Sequence, residues 1–469
     1  MPLQNVHIRV NDAATGKPTP VRLRVTDDAG NYFAPFGHAA KFPVGRAEAV
    51  GGDVLMNGER WAYIDGACEM AVPPGRLTVA ISKGPEYRAI RETVELPPGK
   101  MALRFAIDRL RQWRTDGWRC GDLRVHTVSP HAALLEAGGE DLDFVHILAS
   151  PTYLLAADGN TYAITPNLEA FSGQSTALQR DEHVVVVGTQ NIHPVLGTLG
   201  LHHCHRIVFP LTFGGVDATD DWSLGDWCDQ CHRKKGLVVW TGATTSPLAG
   251  AEALAHAILG HIDALELTAD VIEPLRVWRQ LLDCGVRLPI VGSSAKNSNA
   301  VATGECRTWV KMPTDEPAEF RIWIEGIRAG RTVVSLGSLV PLSVDGEPPG
   351  STLERSEGQT VEIETADRAQ IVWNGAVIGE GRTTLAVQSS GWLAARIVTE
   401  GFAHTSPVWI DVAGRPMPRN EQSAQALRRK LTAGREWIER EGRFEKEHSR
   451  KQLVETFNEA TVKLDRDAS

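Results

Sequence analysis

The chain has 469 residues, of which 42% are hydrophobic and 23% charged, a composition typical of soluble globular proteins with two to four domains. The formal net charge of −9 argues against a nucleic-acid partner, which requires a basic face. A run of about 18 apolar residues is lacking, so no membrane partner is expected. Seven scattered cysteines match no disulfide framework, and the opening MPLQNVHIRV shows no signal-peptide pattern, so the sequence predicts a reduced, cytoplasmic location.

The first 110 residues alternate apolar and polar side chains in short runs, for example at residues 6–10, 21–25 and 102–107. Clusters of Gly, Pro, Asn and Asp separate the runs, which is the pattern of a β-sandwich. The segments TGKPTPVRLRVTDDAGNYFAP and VPPGRLTVAISKGPEYRA resemble the carboxypeptidase-regulatory-like sandwich. We therefore predict that residues 1–110 form a packing module without chemistry.

Residues 111–340 alternate strand-like and helical stretches. The strand-like runs are short and apolar, and amphipathic stretches lie between them, at residues 223–235, 250–259 and 271–284. This repetition predicts a parallel sheet that closes, or nearly closes, into a β/α barrel. Ser223 has the side chain of a helix N-cap, with Asp226 at the capping-box spacing.

The remaining chain changes character twice. Residues 341–412 return to alternating strands with Gly-rich turns and predict a small second β-sandwich. Residues 413–469 are highly charged, with helical spacing at 420–440 and 445–464. These two amphipathic helices either pack back onto the body or pair with another chain as a homo-oligomer. A long charged helix pair is usually a solvated face, which favours the first alternative.

The stretch WRCGDLRVHT, residues 118–127, predicts the first barrel strand, with Asp122, Arg124 and His126 on one face. Strand ends of this kind carry the chemistry in parallel barrels. The string G-D-L-x-x-H-T resembles the opening motif of the polymerase-and-histidinol-phosphatase (PHP) superfamily, most closely its CehA/McbA-type metallohydrolase branch. GLVVW followed by IDALEL, GVRLPIVGSS followed by CRTWV, and WIEGIRAGRTVVSLGSLVPLSVDGEPPG resemble further landmarks of that branch. The resemblance implies a distorted (β/α)7 barrel and metal-dependent hydrolysis.

Most positions to which the resemblance assigns metal ligands hold other residues in this chain. Asp122 and His126 remain, whereas the other positions fall on Arg124, Ala149, Ser150, Gln190, Thr198, Trp240 or Thr241, Ser294 and Lys296. A divalent transition metal needs about three to five converging N, O or S donors, which one His and one Asp do not supply. Carboxylates are lost and the cations Arg124 and Lys296 are gained, so the site suits an anionic or polyhydroxyl ligand better than a metal pair.

Further residues are candidates for the same site. Asp263 and Glu266, in IDALEL, point to opposite faces of a strand, so at most one of them faces the barrel lumen. We expect it to be Glu266, as an acid or base, because Glu266 lies nearer the C-terminal end of the strand. Trp240 is expected either to stack on a sugar or aromatic ring or to fill the space of the absent metals. Arg307 either positions a ligand or binds a structural carboxylate, and the second is favoured.

A dense His-rich stretch makes a metal site at a different position of the barrel an open alternative. If residues 199–208 form a strand, His203 and His205 share one face, and with Asp122, His126 and His193 they could hold one zinc, manganese or iron ion. Ordinary hydrogen-bonded histidines are the favoured alternative, since spacing alone shows no convergence.

Cys228, Cys231 and His232 form the haem-attachment string C-x-x-C-H. The string falls inside a predicted helix and no export signal is seen, so no haem is expected and the cysteines are predicted to pack on the barrel.

Two functional hypotheses follow. In the first, the protein is a metal-independent or non-catalytic relative that binds a small anionic or carbohydrate-like ligand. The binding residues in this hypothesis are Arg124, His126, Lys296 and Gln190. In the alternative, it is a diverged metal-dependent hydrolase of phosphoesters or esters, with Asp122, His126 and Glu266 as catalytic residues.

Overall fold

The computed structural model describes residues 3–37, 51–155, 159–215, 218–314, 318–399 and 401–466. In these ranges the protein is a mixed α/β structure in which strands predominate. The described ranges contain seven α-helices: α1 Pro130–Glu140, α2 Leu224–Arg233, α3 Ala251–Leu259, α4 Ile272–Leu282, α5 Phe320–Arg328, α6 Glu421–Arg440 and α7 Glu447–Arg466. Short 3-10 helices occupy Trp113–Asp116 and Leu168–Ala170.

Nine strands lie in the described part of residues 1–110. They are β1 Gln4–Asp12, β2 Val21–Asp27, β3 Tyr32–Phe33, β4 Asp53–Met56, β5 Glu59–Ile64, β6 Ala67–Val72, β7 Gly75–Ser82, β8 Ile90–Leu96 and β9 Ala102–Ile107. β6, β1 and β9 form one sheet, and the other six strands form a second. Alternate residues of both sheets, such as Val6, Ile8, Leu23 and Val79, share one apolar core, as expected for two facing sheets.

Twelve strands follow in the central region. They are β10 Trp118–Val125, β11 Phe144–Ala149, β12 Thr152–Leu155, β13 Thr161–Ile164, β14 Leu178–Arg180, β15 His183–His193, β16 Gly197–His202, β17 Leu237–Thr241, β18 Ala264–Leu267, β19 Ile290–Gly292, β20 Arg307–Lys311 and β21 Thr332–Ser335. The main sheet has the order β19-β18-β17-β16-β15-β11-β10-β20-β21. β16 is antiparallel to both of its neighbours, β15 and β17, and β20 is antiparallel to both of its neighbours, β10 and β21. All other neighbouring strands in this order are parallel.

This sheet curls into a half-barrel. The amide of Gly292 in β19 donates to Thr308 Oγ1 of β20 at 2.7 Å, and the amide of His126 after β10 donates to the carbonyl of Lys296 after β19 at 2.7 Å. The strands β10, β11, β15, β17, β18 and β19 end on the same side of the curl. We call this side the mouth.

Helices cover both surfaces of the curl. α5 inserts Phe320, Trp323 and Ile327 against concave residues such as Leu123 and Val239, which closes the curl below the mouth. α2, α3 and α4 pack on the convex surface. Because both faces are covered, β11 and β17 are buried along their whole length, as parallel strands usually are. The capping box predicted at α2 is confirmed: Ser223 Oγ accepts from the Asp226 amide, and the Asp226 carboxylate accepts from the Ser223 amide.

The strands after residue 341 do not stand apart from the half-barrel. They are β22 Leu342–Val344, β23 Thr352–Arg355, β24 Thr360–Thr365, β25 Gln370–Trp373, β26 Ala376–Glu380, β27 Arg382–Ala386, β28 Gly391–Ile397, β29 Ala403–Thr405 and β30 Val408–Val412. β22, β24 and β27 form a small sheet, whereas β29 pairs with β21 and so joins the others to the main sheet. This pairing joins segments about 70 residues apart, so local spacing gave no sign of it.

The two predicted C-terminal helices are present and pack on the body. α6 and α7 contribute Leu427, Leu431, Phe457 and Leu464 to the core beneath α3 and α4. Lys430 of α6 donates through Nζ to three carbonyl oxygens of the loop after β17, two of them those of Thr244 at 3.0 Å and Ser246 at 2.6 Å. No helix in the described ranges combines the length and the apolar character needed to cross a membrane.

Candidate functional site

Polar side chains converge at the mouth, where the parallel strands end. The set consists of Asp122, Arg124 and His126 from β10 and the residue after it, Ser150 after β11, Gln190 in β15, Thr241 in β17, Glu266 in β18, and Ser293 and Ser294 after β19. Arg124, His126 and Ser150 are half-buried, and the rest are buried. Small-molecule sites commonly have this form, with a few polar groups at the ends of packed strands.

The centre of the mouth is an ion pair between Arg124 and Glu266. Arg124 donates through Nε to Glu266 Oε1 at 2.7 Å and through Nη2 to Oε2 at 2.6 Å. The exposed fractions of the two side chains are 14% and 2%, so this is a partly desolvated, bidentate pair. Ser293 Oγ also donates to Glu266 Oε1. The carboxylate is therefore held by three donors and its charge is balanced.

His126 stands beside this pair as a neutral imidazole. Its Nδ1 donates to the carbonyl oxygen of Leu148 at 2.9 Å, which leaves the lone pair on Nε2, 3.4 Å from Nη1 of Arg124. Burial and the Arg124 charge lower the pKa of His126 to about 4. His126 thus presents a hydrogen-bond acceptor to the mouth at neutral pH.

Asp122 is fully buried and points into the backbone. Its carboxylate accepts from the amides of Arg124 and Ser294, both at 3.1 Å, and of Gly304 at 2.8 Å. Burial raises the pKa of Asp122 to about 6, although these hydrogen bonds favour the charged form. Asp122 therefore ties the ends of β10 and β19 to the loop that precedes β20.

A hydrogen-bonded chain of neutral groups forms the opposite wall of the mouth. Ser150 Oγ donates to Gln190 Oε1 at 3.1 Å, and Gln190 Nε2 donates to Thr241 Oγ1 at 3.1 Å. Thr241 Oγ1 in turn donates to the carbonyl oxygen of Thr198 at 3.3 Å. Among the described residues, the second Nε2 hydrogen of Gln190 and the lone pairs of Ser150 have no further hydrogen-bond partner.

Lys296, which the sequence places among the ligand-binding residues, points away from the mouth. Its side chain is fully buried, and Nζ donates to the carbonyl oxygen of Val301 at 2.7 Å and lies 3.6 Å from Glu136 Oε2. Glu136 also accepts from Thr303 Oγ1 and from the amide of Gly52. The expected ligand-binding cation is therefore part of a buried structural pair, since residues 294–296 turn the side chain under the loop.

Trp240 and Arg307 also lie outside the mouth. The Trp240 indole is fully buried beneath α3, so close to Gly250 that a Cβ there would lie 3.2 Å from the ring. In β17 successive side chains alternate, so Thr241 faces the mouth and Trp240 cannot stack on a ligand there. Arg307 donates to the carbonyl oxygens of Gly304 at 2.9 Å and Glu140 at 3.1 Å, which is a structural role.

The three other histidines of the expected metal site are dispersed. β16 ends at His202, so His203 and His205 do not share a strand face; their Nδ1 atoms lie near the carbonyl oxygens of Lys235 and Lys234. His193 Nε2 donates to Asp220 Oδ1 at 3.0 Å, and its Nδ1 accepts from two amides.

The donors at the mouth do not fit a metal ion. Within the described residues no group of three or more His, Cys, Asp or Glu side chains is arranged to hold one. Glu266 is occupied by a guanidinium, Asp122 by three amides, and the free lone pair of His126 faces a cation that would repel a metal. The geometry thus disagrees with the metal chemistry that the PHP resemblance implies.

The cysteines of the C-x-x-C-H string are buried in the core. Cys228 and Cys231 are both 0% exposed, and Cys231 Sγ lies 3.2 Å from Cys204 Sγ. His232 turns outward and hydrogen-bonds Asp263 Oδ2 at 2.9 Å. The string is therefore a helix face with a packing role in this fold.

Two buried histidines that no motif singles out lie between the mouth and α5. Nδ1 of His146 and Nδ1 of His202 are 2.6 Å apart, and the His146 ring contacts Phe320 edge-on. Burial lowers the pKa of His202 to about 3 and that of His146 well below its ordinary value, so both rings are neutral. One feature of the sequence indicates the position of His146: alternation along β11 places it on the same face as Phe144.

No protein-family profile and no curated protein matches the chain. Among solved structures, the N-terminal four Ig domains of Dscam1 isoform 8.4 are similar at 11% identity, over 87% of this chain and 99% of that one, with a TM-score of 0.14. A TM-score this low carries no argument about fold or function.

The buried histidines predict a pH dependence of stability. The pKa of His126 falls from 6.5 to about 4, so between these values the unfolded chain binds a proton that the folded protein does not, and stability is lost as pH falls. Asp122 acts in the opposite direction, since its pKa is raised to about 6. We expect His126→Asn to flatten the dependence by up to about 1.4 kcal/mol per pH unit. Urea unfolding at several pH values between 4.5 and 7.5 measures it, and equal slopes in both proteins would contradict the assignment.

Proposed function

We propose that the mouth binds a small neutral polyhydroxyl ligand, of the carbohydrate type, without a metal ion. The observation that carries this proposal is the bidentate pair between Arg124 and Glu266 at the centre of the strand ends. Because the Arg124 guanidinium binds the Glu266 carboxylate, this carboxylate is not available as a metal ligand. The carboxylate in turn neutralises the guanidinium, so this cation is not available to bind an anion. The mouth is left with polar groups but with little net charge.

The charge balance favours a neutral ligand over an anionic one. Arg124 and Glu266 cancel, and His126 is neutral. Lys296 is directed into a buried pair with Glu136, and the Asp122 carboxylate is held by backbone amides and offers an anion no positive charge. An anion entering the mouth would lose hydration without meeting an unpaired cation, which is unfavourable. A polyol loses less hydration and can exchange its water hydrogen bonds for those of the protein.

The hydrogen-bonding capacity of the mouth matches hydroxyl groups, which both donate and accept. His126 Nε2 is an acceptor, and Nη1 of Arg124 and the second Nε2 hydrogen of Gln190 are donors. Ser150 and Thr241 already donate their hydroxyl hydrogens, so they add further acceptors. Alternating donors and acceptors of this kind are what a ring of sugar hydroxyls requires.

The PHP resemblance supports the same location and forms part of the proposal. Positions to which the CehA/McbA-type branch assigns metal ligands are held here by Ser150, Gln190, Thr198, Thr241 and Ser294, which all lie at or beside the mouth. We infer that the half-barrel is a diverged PHP-like (β/α)7 barrel whose metal site has been replaced by neutral hydrogen-bonding groups. A cytoplasmic location belongs to the same proposal, since all seven cysteines are free thiols.

Saturation-transfer NMR with glucose, galactose and glycerol tests the proposal, with glucuronate and glucose 6-phosphate as anionic counterparts. We expect at least one neutral polyol to bind, and Ser150→Ala with Gln190→Leu to weaken its binding about tenfold, the loss of one to two hydrogen bonds. Ser351→Ala, at a half-buried serine outside the mouth, is the matched control.

Three outcomes would overturn the proposal. One is tighter binding of the anionic sugars than of the neutral ones. Another is no binding by any member of the panel. The third is near-stoichiometric zinc, manganese or iron in protein purified without chelator, lost on His126→Ala, which would instead support the diverged hydrolase.

A further inference from the structure

Two buried thiols from different elements meet beside the last turn of α2. Sγ of Cys204, two residues after β16, and Sγ of Cys231, in α2, are 3.2 Å apart, although the residues are 27 positions apart in the chain. Cys204 is 3% exposed and Cys231 is 0% exposed. Within the described chain, no other two cysteines form a sulfur–sulfur hydrogen bond. Cys204 and Cys231 are therefore the two thiols that the fold brings together.

A glycine makes room for the two sulfur atoms. A Cβ at Gly236, directly before β17, would collide with Sγ of Cys204 and with Sγ of Cys231. The amide of Gly236 donates to the carbonyl oxygen of Cys231 at 2.9 Å, which holds the glycine against the end of α2. Gly236 also lines a surface cleft together with His203 and His232. The glycine thus borders both the cleft and the thiols, so a molecule as small as hydrogen peroxide has a short path to them.

Cys228, one turn earlier in α2, shows the ordinary role of a buried thiol in this core. It is also 0% exposed, and among the described residues its Sγ has no sulfur partner at hydrogen-bond distance. Free cysteines commonly pack in this way, as small apolar side chains. Cys228 therefore matches Cys231 in helix and in burial, and differs from it in lacking a contact with Cys204.

We propose that Cys204 and Cys231 are a site of reversible disulfide formation, with hydrogen peroxide as the oxidant. The thiolate of one cysteine attacks a peroxide oxygen, the O–O bond breaks, and a sulfenic acid and one water are formed. The second thiol then attacks the sulfenic sulfur, so that the S–S bond forms, the S–O bond breaks and a second water leaves. Two thiols and one peroxide thus give one disulfide and two waters, and the two electrons lost by sulfur reduce the peroxide.

The reaction requires only a small movement of the sulfur atoms. A disulfide bond is about 2.05 Å long, so the atoms approach by about 1 Å from their contact distance of 3.2 Å. Burial raises the pKa of Cys231 well above its ordinary value, so thiolate is scarce and a brief exposure to oxidant leaves the pair reduced. The bond ties the end of β16 to α2 and closes the loop between them, which stabilises the fold by restricting the unfolded chain.

Peptide mapping of the full chain after prolonged treatment with hydrogen peroxide tests the proposal. Remaining thiols are alkylated before digestion with trypsin, which separates residues 181–206, with Cys204, from residues 207–233, with Cys228 and Cys231. We expect these two peptides to be joined by a bond that dithiothreitol breaks. The oxidised protein should also unfold at a temperature a few degrees higher than the reduced protein. Cys204→Ala and Cys231→Ala should each lose the joined peptides, whereas the matched control Cys228→Ala should keep them.

Several results would overturn the proposal. One is complete alkylation of Cys204 and Cys231 after oxidation, and another is sulfinic acid at either residue in place of the bond. A Cys228–Cys231 bond within one peptide, or joined peptides that persist in Cys231→Ala, would assign the reaction to another pair. An equal yield of the joined peptides in urea would show that the fold does not direct the bond. The map of the unaltered chain decides the matter without the variants, and it does not depend on the ligand at the mouth.

Discussion

Replacing Glu266 by Gln should lower the free energy of unfolding by about 3 to 5 kcal/mol. The change removes the charge that balances Arg124, whose side chain is only 14% exposed, and leaves a guanidinium uncompensated at the strand ends. The acceptor of Arg124 Nη2, Oε2 at 2.6 Å, is replaced by an NH2 group that faces the guanidinium, whereas one amide oxygen remains for Arg124 Nε and Ser293. Urea unfolding at pH 7, followed by circular dichroism, measures the change.

A second variant separates the cost of an unpaired charge from the value of the pair. Arg124→Leu with Glu266→Leu removes both charges, and buried pairs replaced by apolar residues are often close to neutral in stability. We therefore expect the double variant to be more stable than Glu266→Gln. Glu364→Gln, which breaks an exposed pair with Arg382 at 3.0 Å, should cost less than about 1 kcal/mol. A Glu266→Gln effect as small as this control would refute the central role given to the pair.

Replacing Lys296 by Met should also cost about 3 to 5 kcal/mol, because it strands the Glu136 carboxylate in the core. Both side chains are 0% exposed and 3.6 Å apart, and burial, with a smaller contribution from the Glu140 charge, raises the pKa of Glu136. The same variant should leave polyol binding at the mouth unchanged within about twofold, measured well below its unfolding temperature. This pair of readouts distinguishes a structural lysine from a ligand-binding one.

Lys451→Met, at an exposed position of α7, is the control for the loss of one positive charge. It should change neither stability nor binding by a measurable amount. If Lys296→Met instead abolished polyol binding while stability stayed the same, Lys296 would have to contact the ligand, against the direction in which its side chain points.

The local features of this chain followed from its sequence. The alternation in the first 110 residues, the capping box at Ser223 and the helical spacing after residue 420 each depend on residues within a turn or a strand of one another. The same holds for Asp122, Arg124 and His126, whose spacing along β10 placed them at the end of a strand. Such patterns act through local backbone geometry, so they do not depend on how distant parts of the chain pack.

Contacts between distant strands were decided only by the tertiary structure. Arg124 could have served an incoming anion, but the sheet order brings it to Glu266, 142 positions later in the chain. The PHP resemblance places Lys296 at a ligand position, yet the turn after β19 directs it to Glu136. The histidines of the expected metal site are dispersed because β16 stops at His202. Each outcome depends on strand register and on which buried charged groups form a pair. Packing across the whole fold sets both, and spacing along the chain does not.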